Sequence, residues 1–535
     1  MKSINYGEFD FIIIGSGFGG AVSALRLTEK GYRVLVIEKG KRLTEKKFPK
    51  SNWNLKKWLW IPQLKFFGLF RITPFRHITI LSGVGVGGGS LVYANTLPIP
   101  KQKFFKSDSW ASLCDWESEL KPFYSIVARI LGTVKNPRLD IGDHTLKEIS
   151  KKGGRENYFE SVDAAVYFGV PGETVKDPYF GGDGPDRTGC NFCGGCMLGC
   201  RNNAKNTLDK NYLYLAEKLG AKILPESEVY DVEPNTESIG DIGYTVKWKS
   251  STKLFKDYYW AKTKNVIFAG GVLGTLDLLF RLKKTSLPKL SNKLGYGVRT
   301  NSECFYGITT FNKKNVFSDG LAISSIFHID EDSHVEPVRY PAGSGFWRLF
   351  MSPAVEGKNF LIRIIKIFFD LFKHPILNLK SYFISDWAKY TQILMFMQTI
   401  NTQLRFRKGI FRLKTSVDIG KAPTPFIPIA KKMADNFSSM VEAKPTVLLS
   451  ETLAGIPTTA HILGGCVMGT NIDNGVIDKD NKVFGYSNLY ICDGSMISAN
   501  PGVNPSLTIA ALTERAVSKI PAKNSKVMEN YFKYS

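Results

Sequence analysis

The 535-residue sequence predicts an α/β fold: a Rossmann-like dinucleotide-binding domain assembled from several chain segments, with a second domain inserted. Three observations carry this. Residues 9–38 read as strand, glycine turn, helix and a second strand ending in an acid. Residues 265–280 read as another strand running into a glycine turn and a helix. The stretch 300–455 is mixed and aromatic-rich with no repeat, so the nucleotide domain is interrupted.

The elements follow in chain order. Phe9-Asp10-Phe11-Ile12-Ile13-Ile14 is a buried strand, and Gly15-Ser16-Gly17-Phe18-Gly19-Gly20 follows it. Ala21 to Lys30 has helical periodicity and Gly31 ends it. Tyr32 to Ile37 is a second apolar run closed by Glu38. In this fingerprint Gly15 permits the tight turn, Gly17 lets the backbone approach a pyrophosphate, and Gly20 lets helix and strand pack closely. Free N–H groups and the dipole at the helix N-terminus favour that anion. Glu38 is placed to accept from a ribose hydroxyl. A second cluster, Gly83 to Gly89 followed by Ser90 and Leu91 to Asn95, has five glycines in eight uncharged residues. It suits backbone lying against a flat ring or a second phosphate. Asn206 to Leu219 reads as a helix.

Cys190-x2-Cys193-x2-Cys196-x3-Cys200 has ferredoxin-like spacing, and the interleaved glycines let the chain wrap one centre. Arg201 stands where ferredoxins have proline, and there is no second run. An iron–sulfur cluster, a zinc site, a disulfide pair and buried free thiols are the readings; zinc prefers two ligand pairs with a longer spacer, and the compartment disfavours disulfides. No signal peptide is read at the N-terminus, and no stretch reaches the roughly 18 apolar residues of a membrane span. The expectation is a cytoplasmic chain.

Net charge is +23, with 71 Lys and Arg against 48 Asp and Glu, so an anionic partner is expected. Residues 46–107 carry eleven basic and no acidic residues, with Trp53, Trp58, Trp60, Phe66, Phe67, Phe70 and Phe75 among them. Phe360 to Lys373 puts Arg363, Lys366, Asp370 and Lys373 on one helical face and large apolar residues on the other, and Pro375 closes it. These patterns point to peripheral contact at the inner face of a membrane. Nucleic acid is rejected as a partner, because no nucleic-acid module is present and the basic residues interleave with large aliphatics.

Together the blocks resemble the glucose–methanol–choline (GMC) flavoprotein oxidoreductases, within them the cholesterol-oxidase-like branch. The blocks are Gly15-x-Gly17-x-x-Gly20 with Glu38, Gly85 to Asn95, Ala269 to Thr275, Val298-Arg299-Thr300-Asn301-Ser302-Glu303, His461-Ile462-Leu463-Gly464-Gly465-Cys466, Asp493-Gly494-Ser495, and Asn500 to Thr508. They occur in family order along essentially the whole chain. Ile462 departs from the proline usual in this branch.

The resemblance implies an FAD-binding domain with an inserted α+β substrate domain on an antiparallel sheet. The implied FAD-binding segments are 1–100, 186–300 and 456–535, with a cap segment at 101–185 and a substrate-binding segment at 301–455. It also implies hydride transfer from an alcohol carbon to FAD. His461 takes the hydroxyl proton, and Asn504, which is no base, orients the hydroxyl. FAD contacts are implied at Gly85, Gly88, Gly89, Asn95, Val229, Asp493, Gly494 and Pro505, the last opening a helix aimed at the flavin. The expected substrate is a hydrophobic alcohol, such as a sterol or other lipid alcohol. The acceptor is oxygen, or a quinone or carrier if an iron–sulfur cluster is present. Glu336 is a candidate base for isomerising a sterol product, an ion-paired structural glutamate being the other reading. A non-catalytic membrane-surface protein on a flavin fold is the rival from outside the enzymes.

Overall fold

In the computed structural model, residues 3–236, 239–410, 412–418, 420–523 and 534 are described. Two seven-stranded sheets organise the chain. In the first, strand Ser3–Ile14 lies between Val34–Ile37 and Tyr258–Phe268, parallel to both. Lys222–Leu224 extends it on one side, and Leu489–Ile491 joins the end of Tyr258–Phe268, both in parallel. Strands Ser227–Pro234 and Tyr244–Ser250 continue it antiparallel. The parallel strands are apolar throughout because helices cover the sheet; Ile12, Ile13, Val36, Val266 and Ile267 are all fully buried.

Register decides where the ligand-facing ends fall. Ile14 pairs with Ile37 and with Phe268, and Phe268 with Ile491. The turns that follow, at Gly15, Glu38, Gly270 and Asp493, are therefore level at the carboxyl ends of the strands. Open α/β sheets bind ligands at that edge.

The second sheet is antiparallel, in the order Met351–Pro353, Ala443–Leu448, Cys304–Thr310, Thr391–Gln398, Ser333–Val338, Ser325–His328, Phe159–Ser161. Alternation gives it two faces. Tyr306, Leu394 and Phe396 pack with Phe437 of the helix Pro428–Met440. Phe305, Val338, Ile393 and Met395 face a cavity shared with the first sheet.

Local differences from the sequence reading have physical reasons. The helix expected over 206–219 shortens to Tyr212–Lys218, because the Asn211 carboxamide accepts from the Tyr212 N–H and caps it there. Pro375 does not close the amphipathic segment; it occupies the first turn of a second helix, Pro375–Phe383, where its missing N–H costs nothing. Three of the seven aromatics named in residues 46–107 are interior, and Trp53 is exposed. Trp58, Trp60 and Phe70 are buried, and Trp58 stacks on Phe70 at 5.1 Å. Among the described residues no helix is long and apolar enough to cross a membrane.

The helices flanking the first sheet are joined by a buried ion cluster. Arg26 donates to Glu514 (2.8 Å) and Glu29 (2.8 Å), all three fully desolvated, and the Tyr212 hydroxyl donates to Glu514. Removing one member leaves an uncompensated buried charge, so Glu514→Ala is expected to cost about 3–5 kcal/mol. Thermal unfolding should show a large fall in midpoint; an unchanged midpoint would contradict this role.

Candidate active site

The glycine turn is built as its spacing predicts. Gly15 has φ 104°, and a Cβ there would lie 2.3 Å from the Ala269 carbonyl oxygen. A Cβ on Gly20 would lie 2.1 Å from the Gly15 oxygen, so this glycine permits the helix Phe18–Glu29 to touch the strand. A Cβ on Gly17 meets nothing within 4 Å, and Gly17 lines the central cavity. The turn is thus closed on its protein side and open on its cavity side. Glu38 is buried beside it. Its Oε2 accepts from the Ser16 N–H (3.1 Å) and hydroxyl (2.8 Å), and its Oε1 from the Gly40 N–H (2.8 Å). Glu38 therefore also braces the turn.

The second glycine loop is docked on the first. The Ser16 hydroxyl, whose proton goes to Glu38, lies 3.3 Å from the Gly85 carbonyl oxygen and accepts from the Gly87 N–H. A Cβ on Gly88 would come within 2.6 Å of the Gly17 Cα. Gly89 reaches the cavity wall, and Asn95 is fully buried with φ 73°. Val229, on strand Ser227–Pro234, is buried in the core and does not line the cavity, although that strand starts against Glu38 through the Ser227 N–H. Asp493 and Gly494 close the cavity beneath Gly271. Asp493 accepts from the Thr275 hydroxyl (2.5 Å) and from the N–H and hydroxyl of Ser495. Burial raises its pKa, against these bonds. Pro505 lines the cavity at the start of helix Ser506–Ser518, whose N-terminal Ser506 and Ile509 also face it.

His461 and Asn504 line the same cavity. The residue that sequence reasoning left without a role is Glu303. Its Oε1 lies 2.5 Å from His461 Nδ1, and its Oε2 accepts from the Ala460 N–H at 2.8 Å. A carboxylate accepts only, so Nδ1 carries the proton and Nε2 is the nitrogen left for a group in the cavity. Burial alone would lower the pKa of His461, but the charge and hydrogen bond of Glu303, with Glu336, outweigh it and raise the pKa. Beyond Glu303 sits Glu451, whose carboxyl burial and the Glu303 charge push up to about 8. The signal for Glu303 was its place in the Val298–Glu303 block, two residues from Asn301. Asn301 donates to the Val503 carbonyl and accepts from the Gly502 N–H, which fixes the loop carrying Asn504.

Asn504 is held by Glu336, which is fully buried and accepts from Asn504 Nδ2 at 3.3 Å. Asn504 Oδ1 is buried with no protein partner. Buried polar atoms are rarely left unpaired, so this orphan marks a place for a ligand. Glu336 also lies 3.4 Å from His334 Nε2.

The four cluster cysteines line a separate cavity with Lys205. Cys190 Sγ accepts from the Phe192 N–H (3.4 Å), and Cys200 Sγ from the N–H groups of Ala204 and Lys205. Burial raises the thiol pKa of Cys190, Cys193 and Cys196. Among the described residues no group of three or more His, Cys, Asp or Glu is arranged to hold a metal ion. The loop adjoins the central cavity, since Met197 lines both the cysteine segment and that wall.

Gly17 and Gly271 both offer open space to the cavity beside a helix N-terminus, a cradle that fits a dinucleotide such as FAD. Gly17→Leu is therefore expected to fold with the melting temperature of the FAD-stripped wild-type chain yet purify without flavin absorbance. Retained flavin would contradict the cradle. Gly20→Leu, which meets backbone, is expected not to fold.

Comparison with known proteins agrees with this geometry. The GMC oxidoreductase family profile matches residues 386–513, and the NAD(P)-binding Rossmann-like domain profile matches residues 13–48. A cholesterol oxidase of Acinetobacter baumannii is 43% identical over 99% of this chain and 97% of its own. A cholesterol oxidase of Mycobacterium tuberculosis is 40% identical over 96% and 92% of the two chains. The solved pyridoxine 4-oxidase from Mesorbium loti shares the fold at 14% identity, with a TM-score of 0.59 over 96% of this chain and 99% of its own. An Aspergillus oryzae formate oxidase does so at 13% identity and 0.60, over 98% and 100% of the two chains. With 43% identity along almost the entire chain, the protein belongs to the GMC oxidoreductases, FAD-dependent enzymes that oxidise alcohols.

Proposed function

We propose that the enzyme oxidises the CH–OH group of a bulky hydrophobic alcohol, a sterol or other lipid alcohol, with oxygen as electron acceptor. The observation that carries this reading is one cavity with two unlike walls. One wall is the glycine and Asp493 edge of the parallel sheet; the other is the apolar face of the antiparallel sheet, joined by Phe70, Tyr340 and Trp347. Polar groups converge where the walls meet, at His461 and Asn504. Cavities of this composition bind apolar ligands and orient them with a few polar groups. The relatives named as cholesterol oxidases support the sterol.

In this proposal His461 Nε2 takes the hydroxyl proton as the carbinol carbon becomes a carbonyl. Bound FAD supplies the two-electron acceptor for the hydride. Glu303 holds the imidazole in the tautomer that leaves Nε2 unprotonated and stabilises the imidazolium that forms. Asn504, steadied by Glu336, keeps the alcohol oxygen in line. Glu38 and Val229 remain assigned to the adenosine end, Gly85, Gly88, Gly89 and Asn95 to the flanks of the cofactor, and Asp493, Gly494 and Pro505 to the ribityl and ring end. Glu336, bonded to Asn504, remains the candidate base for isomerising a sterol product.

A base must be neutral to accept the proton, so kcat/KM should rise with pH through the raised pKa of His461. Glu303→Gln removes the charge that raises that pKa, and burial then lowers it; the acid limb of kcat/KM should move to lower pH. His461→Ala should cost about 10²–10⁴ in kcat with FAD retained and peroxide release lost in proportion. An acid limb unmoved by Glu303→Gln would remove Glu303 from this role, and full turnover in His461→Ala would remove the histidine.

A second reading concerns Cys190, Cys193, Cys196 and Cys200 as ligands of an iron–sulfur cluster that passes electrons to a quinone or carrier. It is favoured by their shared cavity and by the N–H donors aimed at the sulfurs of Cys190 and Cys200. Anaerobically purified protein with stoichiometric iron and acid-labile sulfide would support it. Protein without either, fully active with oxygen, would reduce the cysteines to buried thiols.

A further inference from the structure

The helix Phe360–Lys373 and its successor Pro375–Phe383 sit on the protein upside down. An amphipathic helix on the surface of a globular protein ordinarily packs its apolar face on the core and leaves its polar face in water. The opposite is found. Arg363 is buried and donates to the carbonyls of Gly357 and Leu453. Asp370 accepts from Lys444 (2.6 Å) and from Asn378 (3.0 Å), and Ser381 is buried against the Asn378 carbonyl. Arg363 and Asp370 of the polar stripe form the seat. Outward point Leu361, Ile365, Phe368, Phe372, Ile376 and Phe383; Phe372 is 91% exposed and Phe383 73%. So large an apolar face turned to solvent marks an interaction surface.

Its neighbours identify what covers it. The first helix rests on Met351–Pro353 and on the helix Leu449–Ala454. Met351 and Leu448, at the edges of those elements, line the central cavity. Leu349, Phe350 and Leu449, also exposed, carry the apolar surface from the hairpin toward that wall. Around the face Lys358, Lys366, Lys373 and Lys380 stand exposed, while the one acid of the hairpin, Asp370, is neutralised by Lys444. A second copy docked here would bring like charges together. An anionic bilayer matches both the apolar face and its basic border.

We propose that the hairpin Phe360–Phe383 docks the enzyme on an anionic lipid bilayer and sets the Met351–Leu448 wall of its cavity against the lipid. This deepens the reading of the substrate as a lipid alcohol and rests on it for its purpose, though not for its test. The purified FAD-bound enzyme is sedimented with phosphatidylcholine vesicles, with or without phosphatidylglycerol. The enzyme should sediment with the anionic vesicles, and less so without phosphatidylglycerol or at high salt. The combined variant Phe368→Ser, Phe372→Ser, Phe383→Ser should lose at least about tenfold in partitioning, with melting temperature and turnover of detergent-dispersed alcohol unchanged. Its turnover of alcohol embedded in vesicles should fall by a similar factor. Wild-type enzyme remaining in the supernatant, or a triple variant that sediments as before, would overturn the proposal. A wild-type dimer that the same substitutions turn into a monomer, with no vesicle binding, would assign the face to a second copy instead. Vesicle binding through these phenylalanines without turnover of any lipid alcohol would leave the docking intact and remove the substrate reading.

Discussion

A single buried carboxylate ties the molecule together. Glu303 is almost fully desolvated, and a charge in that position is tolerable only if its oxygens are met by donors. One oxygen takes the Ala460 N–H and the other the His461 ring. Two residues earlier, Asn301 grips the backbone at Gly502 and Val503. The next residue, Cys304, opens an interior strand of the antiparallel sheet. Thus the stretch that joins the two sheets also fixes the loops carrying His461 and Asn504. Chemistry and architecture meet in five residues, Arg299 to Glu303.

From that junction the division of labour follows. The parallel sheet presents turns, amide groups and a helix N-terminus at one level, a surface fit for a charged dinucleotide. The antiparallel sheet presents large apolar side chains with no comparable cradle. Neither wall could serve both kinds of ligand, because phosphate and ribose need hydrogen bonds whereas an apolar ligand needs exclusion of water. His461 lines the cavity at the seam between the walls.

Much of this was legible in the sequence, and the unread parts share a cause. Gly15, Gly17 and Gly20 announce themselves because their roles are local: a turn, an opening and a close contact within six residues. His461 and Asn504 were readable only through the order of several blocks. Glu303 carried no readable role because its function depends on His461, 158 residues away. Periodicity divided residues 360–373 into two faces but could not say which one meets the protein, since a polar stripe can seat a helix when a neighbour such as Lys444 completes it. The basic and aromatic run at 46–107 looked alike in sequence, yet Trp58 and Phe70 are interior. For the four cysteines, spacing gave proximity, whereas occupancy is a matter of chemistry beyond the chain.

The most direct measurement is an anaerobic titration of the purified flavoenzyme with a sterol, followed by its visible absorbance. Stoichiometric loss of the oxidised flavin band, reversed with peroxide release on admitting air, is the predicted result. A flavin that stays oxidised in the presence of sterols and long-chain alcohols, while a small polar alcohol reduces it, would contradict the assignment of the apolar wall to a lipid substrate.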